Sequence, residues 1–173
     1  MKTIEHYDAA VSKFYQNRAI PSFPISSMDL YAQHFQKVCR NFQDVKNLHQ
    51  LSIVQKWESD VPFKNGILDK EYVVVVTDTA LNIVYATQNI FTMNGYQPDE
   101  IIGKKPKMFQ GEKTCHETSR EIGIAIQNRA PFEKTITNYR KDGTIYNCWI
   151  KGAPIFNTKG DVVNFIAYEK EVA

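Results

Sequence analysis

The stretch from Phe132 to Val172 constrains the fold most. It holds three segments rich in β-branched and aromatic residues, FEKTITNYR, TIYNCWIKGAPIF and VVNFIAYEKEV, separated only by KDG and NTKGD. Turns this short, each with a glycine to supply positive φ, oblige consecutive strands to lie side by side and antiparallel. Alternation then sorts the side chains. Ile136, Asn138 and Arg140 share one face, as do Tyr146, Cys148 and Ile150, and Phe165, Ala167 and Glu169. The opposite face carries Thr137, Tyr139, Asn147, Trp149, Ile166 and Tyr168. It is far from purely polar, so both faces need a cover.

Two more strands are expected upstream, YVVVVT and IVYA, joined by DTALN. The intervening TQNIFTMNGYQPDEIIG reads as short helical turns, with Pro98 near the start of the last. TCHETSREIGIAIQNR reads as a longer helix, with Thr114 and Glu117 at capping-box spacing. The order β-β-α-α-α-β-β-β predicts an α+β domain: one five-stranded antiparallel sheet with short helices on one face. Helices closing against a sheet make a small cup. If the first set of faces is inward, Asn138, Cys148 and Glu169 are set into an apolar lining.

Each of these three residues has a plainer alternative role. Asn138 can satisfy backbone groups near the hairpin, Cys148 can serve as a small buried apolar residue, and Glu169 can be solvated near the chain end.

The region before the sheet is helical in pattern. IEHYDAAVSKFYQNR is expected to form a first helix, and AIPSFPISS to break it. A second helix is predicted over about Met28 to Trp57. Tyr31, Phe35, Val38, Phe42 and Val45 fall at heptad spacing, and Leu48, Leu51, Val54 and Trp57 follow at intervals of three. The stripe suits two covers, the outer face of the chain's own sheet or a second chain. SDVPFKNGILDKE reads as a connector. The chain thus divides into a helical extension over residues 1–65, for dimerisation or partner contact, and a sheet domain over 66–173.

The segments VVTDTALNIVYATQNIFTMNGYQPDEIIGK and NYRKDGTIYNCWIKGAPIFNTKGDVVNFIA resemble the opening and the tail of a PAS domain. Several separated motifs occur in the right order. Within that class the wording is most similar to the light-oxygen-voltage (LOV) group, which binds flavin and forms a light-driven bond from a cysteine. The group's signature turn, G-R-N-C-R-F-L-Q-G, aligns with Gly103 to Gly111, GKKPKMFQG. Pro106 stands where the reactive cysteine would be. Proline has no nucleophile, so an adduct from this position is excluded.

The resemblance also implies a ligand set. Gln110 and Asn138 match flavin-contacting positions, and Arg120 matches a phosphate-binding arginine. Lys105 and Cys148 replace asparagines, and Glu169 replaces a glutamine. An amide donates and accepts, whereas a carboxylate only accepts, so these changes argue against retained flavin. The basic turn, with four lysines and one acid between Gly103 and Thr114, reads as a structural turn stiffened by Pro106; an anion-binding role is the alternative.

The remaining features exclude more than they assign. The sequence shows no nucleotide-binding P-loop, H-E-x-x-H or hydrolase constellation. Its three cysteines and four histidines have no metal-ligand spacing. A formal net charge of +2 gives no global attraction to nucleic acid or membrane. With no apolar signal core, the chain is expected to be cytoplasmic. No effector segment follows the last strand, so output is expected to pass through the N-terminal helices or to another protein.

The function expected is a stand-alone, non-enzymatic PAS sensory or interaction module of bacterial type. It would form a homodimer, signal to a partner protein and hold a small ligand in its cup. The alternatives are a flavin-binding LOV-like photoreceptor or redox sensor without adduct chemistry, and an interaction domain whose core is filled.

Overall fold

The computed structural model describes residues 26–58 and 63–173, and residues 37–173 form one compact unit. The first helix expected from IEHYDAAVSKFYQNR lies outside the described residues, as does the side chain of Tyr31.

The five strands are β1 (Val73–Thr77), β2 (Ile83–Ala86), β3 (Phe132–Tyr139), β4 (Ile145–Phe156) and β5 (Val162–Val172). They form one sheet in the order β2-β1-β5-β4-β3, every neighbouring pair antiparallel. The glycines of the two C-terminal turns sit at positive φ, 86° at Gly143 and 82° at Gly160, as tight reversals require. The N-terminal hairpin joins the C-terminal meander through β1 and β5, where Val75 lies opposite Ala167.

Two hydrophobic layers flank the sheet. On the inner side, Val75, Ile136 and Cys148 pack with Ile90, Ile101 and Phe109. Those last three come from α3 (Ile90–Asn94), α4 (Pro98–Ile101) and a 3₁₀ turn (Pro106–Phe109). α5 (His116–Gln127) follows, and Ile122 packs against this cluster. Pro98 and Pro106 each open their helical turn, where a missing N–H leaves nothing unbonded.

On the outer side, Val74, Val76 and Ile166 pack with Leu48 of α1 (Ser26–Val54) and with Phe63 and Ile67 of α2 (Phe63–Leu68). One polar contact also fixes α1. Asp44 is buried and accepts the Tyr85 hydroxyl at 2.6 Å and the Gln88 N–H at 3.0 Å.

Several local expectations need correction. α1 ends at Val54, which is exposed, and Trp57 is not helical. Trp57 bridges to Asn157 and donates its indole N–H to Asn164 at 2.9 Å. Val45, Leu48 and Leu51 of the predicted stripe do meet the outer sheet face, joined by Asp44. Phe35 and Phe42 of the heptad seam are 68% and 59% exposed.

The expected connector contains α2, because Phe63 and Ile67 reach the outer core and Gly66 passes under Tyr168. A Cβ at Gly66 would come within 2.8 Å of that ring. Thr114 does not cap α5, since Cys115 holds the N-cap position. The Thr114 hydroxyl instead donates to the Thr137 carbonyl at 2.7 Å and accepts the Gly111 N–H at 3.0 Å.

Candidate functional site

A cavity of about 300 Å³ lies between the inner face of the sheet and α5. Its wall is largely apolar, formed by Val75, Ile122, Ile136, Ile150 and Phe165. The 3₁₀ turn closes one side, with Lys105, Pro106, Lys107 and Gln110 on the wall. Glu169 and Asn138 are set into this lining.

The register explains where the acid sits. Glu169 of β5 lies opposite Val73 of β1 and Ile150 of β4, so its side chain points to the inner face with theirs. It is only 5% exposed. Burial pushes its carboxyl up to about 7, because a charge there loses its water. The Cys148 thiol, with Sγ 3.8 Å from Glu169 Oε2, is its hydrogen-bond partner. Burial, reinforced by the neighbouring acid, pushes the Cys148 thiol far above its ordinary range. A thiol held protonated is no nucleophile at neutral pH.

Further polar groups on the inner side of the sheet complete no well-formed hydrogen bond. Thr77 borders the cavity, and its buried Oγ1 completes no hydrogen bond. The Tyr146 hydroxyl lies beside the Asn138 and Asn94 side chains, yet neither it nor Asn94 Nδ2 makes a well-formed bond. Orphaned buried polar atoms are rare in folded proteins, and each calls for an explanation. Arg140 lies beside Tyr146: its guanidinium is 4.6 Å from that ring, pairs with Glu171 at 2.6 Å and donates to the Met93 carbonyl.

The six residues singled out in the sequence separate in the structure. Asn138, Glu169, Gln110 and Lys105 border the cavity, Lys105 from an exposed position. Gln110 Oε1 accepts the Ser119 hydroxyl at 3.0 Å. Cys148 is fully buried behind the wall, in contact with Glu169. Arg120 is exposed on α5 and is not on the cavity wall.

Sequence reasoning placed Tyr146 on the inner face but did not single it out, and it missed Thr77 on the wall and Asn94 beside Tyr146. Alternation along VVVVT places Thr77 with Val73 and Val75, so that one was within reach. Asn94 is brought in by a helical turn that no strand pattern shows.

The wall does not fit flavin as the resemblance implies. Gln110 and Asn138 suit a ring edge. At the other positions the structure presents a buried carboxyl, a thiol behind the wall, an exposed lysine and Pro106. Three amides that could both donate and accept are absent.

A groove of about 380 Å³ lies beside α1, bordered by Lys37, Asn41, Glu71, Val73 and Asn89. Lys37 pairs with Glu71 at 2.6 Å. Glu169 borders this groove as well as the inner cavity.

Comparison with known proteins agrees with this architecture. Phototropin-2 of Oryza sativa subsp. japonica is 31% identical over 113 residues, which are 64% of this chain and 12% of that protein. The bacterioopsin transcriptional activator of Halobacterium salinarum is 27% identical over 120 residues, 67% of this chain and 18% of that protein. The chain therefore spans less than a fifth of the length of either relative. The dark structure of the blue-light photoreceptor Aureochrome1 LOV superposes with a TM-score of 0.61 at 28% identity, covering 67% of this chain and 86% of that one. Residues 70–172 match the model described as PAS domain, and the chain belongs to that family.

Proposed function

We propose that this chain is a non-enzymatic sensory PAS module that takes a small ligand into the inner cavity and reports its occupancy to a protein partner. The observation that carries this reading is Glu169, a buried carboxyl on a cavity wall whose hydrogen-bond partner is a thiol. An acid so placed costs stability unless a ligand or a proton completes it, which makes the site responsive to what fills it. Glu169 also borders the groove beside α1, so a change at the ligand has a short route to the helix.

The partner proposed first is a second copy. Phe35 and Phe42 stand exposed one heptad apart and would pair in a helical interface. A cytoplasmic setting suits the three free cysteines, two of them exposed.

The test is native mass spectrometry and absorbance of the purified protein, followed by a thermal-shift screen of small metabolites. A co-purifying molecule, or ligands that raise Tm in wild type and not in Ala167→Leu, is the expected result. Ala167 borders the cavity, so bulk there competes with a ligand. A protein that carries nothing and responds to no ligand would instead be an interaction domain with a filled core.

A further inference from the structure

We propose that the cavity selects a small aromatic base, a flat ligand that presents N–H donors or a cationic nitrogen to Glu169. This rests on the reading of the cavity as a ligand site. Glu169 is 5% exposed, makes no ion pair among the described residues and has the Cys148 thiol as its hydrogen-bond partner. A thiol is a weak donor, so most of the carboxyl's accepting capacity is unused on a residue that borders the cavity. A donor-bearing cation meets that need, and the pairing is strongest where water is excluded.

A second observation points the same way. Thr77 and Asn138 line the same cavity as Glu169. An asparagine side-chain oxygen can accept a further N–H. The body of the ligand is set by the rest of the lining. At about 300 Å³ the cavity is at the small end of small-molecule sites, ~300–1,000 Å³. The Phe132 and Phe165 rings and the aliphatic side chains on its wall suit a single flat ring system.

An anionic ligand is disfavoured. Lys105 and Lys107 border the cavity, but both are exposed, so solvent screens their charge far more than that of buried Glu169.

Three probes of one shape separate charge from fit: benzamidine, benzamide and benzoate, titrated calorimetrically into the full chain. We expect benzamidine to bind at least roughly tenfold more tightly than benzamide, with benzoate weakest. Glu169→Gln, which keeps the shape and removes the acid, should abolish the preference for benzamidine. Ala167→Leu should weaken benzamidine and benzamide alike, and it tests the location even where Glu169→Gln does not fold.

The proposal is overturned if benzamide or benzoate equals benzamidine, if none of the three binds, or if the preference survives in Glu169→Gln. It is also overturned if Ala167→Leu leaves benzamidine binding intact. A different molecule recovered from wild type that refuses benzamidine would overturn the ligand class and leave the cavity reading standing. A protein that carries no molecule, answers no metabolite and refuses all three probes would remove both.

Discussion

Cys148 Sγ lies 3.8 Å from Glu169 Oε2 with both side chains buried. The two acids of this pair have opposite importance for pH. The thiol stays protonated throughout the accessible range, because burial and the neighbouring carboxyl both oppose its ionisation. The carboxyl titrates.

Its shift from 4.5 to about 7 on folding fixes the sign of a stability change. Below the unfolded value, both states hold the proton and stability is complete. Between the two values the folded state binds more protons than the unfolded one, so stability falls as pH rises, and it levels off above about 7. The loss expected is up to roughly 3 kcal/mol. Urea unfolding from pH 4.5 to 8.5 should show it in wild type and lose that component in Glu169→Gln. Comparing the two proteins isolates Glu169 from Asp44, whose carboxyl is also raised by burial. Identical slopes in the two proteins would contradict this account.

The attachment of α1 to β2 depends on Asp44. Its carboxyl accepts the Tyr85 hydroxyl and the Gln88 N–H. Asp44→Ala leaves the half-buried Tyr85 hydroxyl only the long contact to the Asp44 backbone carbonyl at 3.4 Å and should cost about 1–3 kcal/mol. Tyr85→Phe should cost less. A double-mutant cycle should give a coupling of about 1 kcal/mol or more. Simple additivity would show that the 2.6 Å bond contributes little to holding the helix.

The sheet was legible because its signal is local. In TIYNCWI and NFIAYE, alternation assigned Cys148 and Glu169 to the inner face, and the short glycine turns fixed the pairing. The helical cover was harder. Phe35, Val38, Phe42 and Val45 make a regular heptad that Leu48 and Leu51 continue, and nothing local says that the sheet takes Val45, Leu48 and Leu51 with Asp44 and leaves Phe35 and Phe42 exposed. That choice is tertiary: Asp44 finds Tyr85 and Gln88, more than forty residues away.

α2 was hidden for a similar reason. FKNGIL is too short and too rich in turn residues to carry a helical period, and its helix is stabilised by Phe63 and Ile67 packing on the outer core. The cavity's polar set was half legible. Asn138 and Glu169 follow from alternation, whereas Arg120 was carried by resemblance alone and the structure leaves it exposed off the wall.

Two glycines near the cavity should respond in opposite directions. A Cβ on Gly123 of α5 meets nothing within 4 Å, and its backbone is helical. Gly123→Ala should therefore stabilise the protein by about 0.5–1 kcal/mol. Gly152 of β4 lies opposite Phe132, whose ring covers it so closely that a Cβ would overlap the ring atoms. Gly152→Ala must push that ring aside and should cost about 1–3 kcal/mol. Phe132 borders the cavity, so the same variant should also weaken any ligand. Thermal unfolding of the two variants beside wild type checks both signs.

The assembly prediction follows from what α1 leaves uncovered. Leu48 is fully buried against the outer sheet face, while Phe35 and Phe42 remain 68% and 59% exposed. Burying a Phe side chain is worth roughly 1.5–3 kcal/mol, so two of them at heptad spacing offer a second copy several kcal/mol. A symmetric pair of helices would use the same residues from each chain. Wild type should sediment as a dimer at micromolar concentration. Phe35→Glu with Phe42→Glu should sediment as a monomer and lose only the stability that pairing adds, since neither side chain is buried within the chain. Leu48→Ala should behave differently. It opens a cavity under α1 and should cost about 2–5 kcal/mol of stability. A wild-type protein that sediments as a monomer would withdraw the dimer and leave α1 as a cover for its own sheet with two solvent-facing phenylalanines.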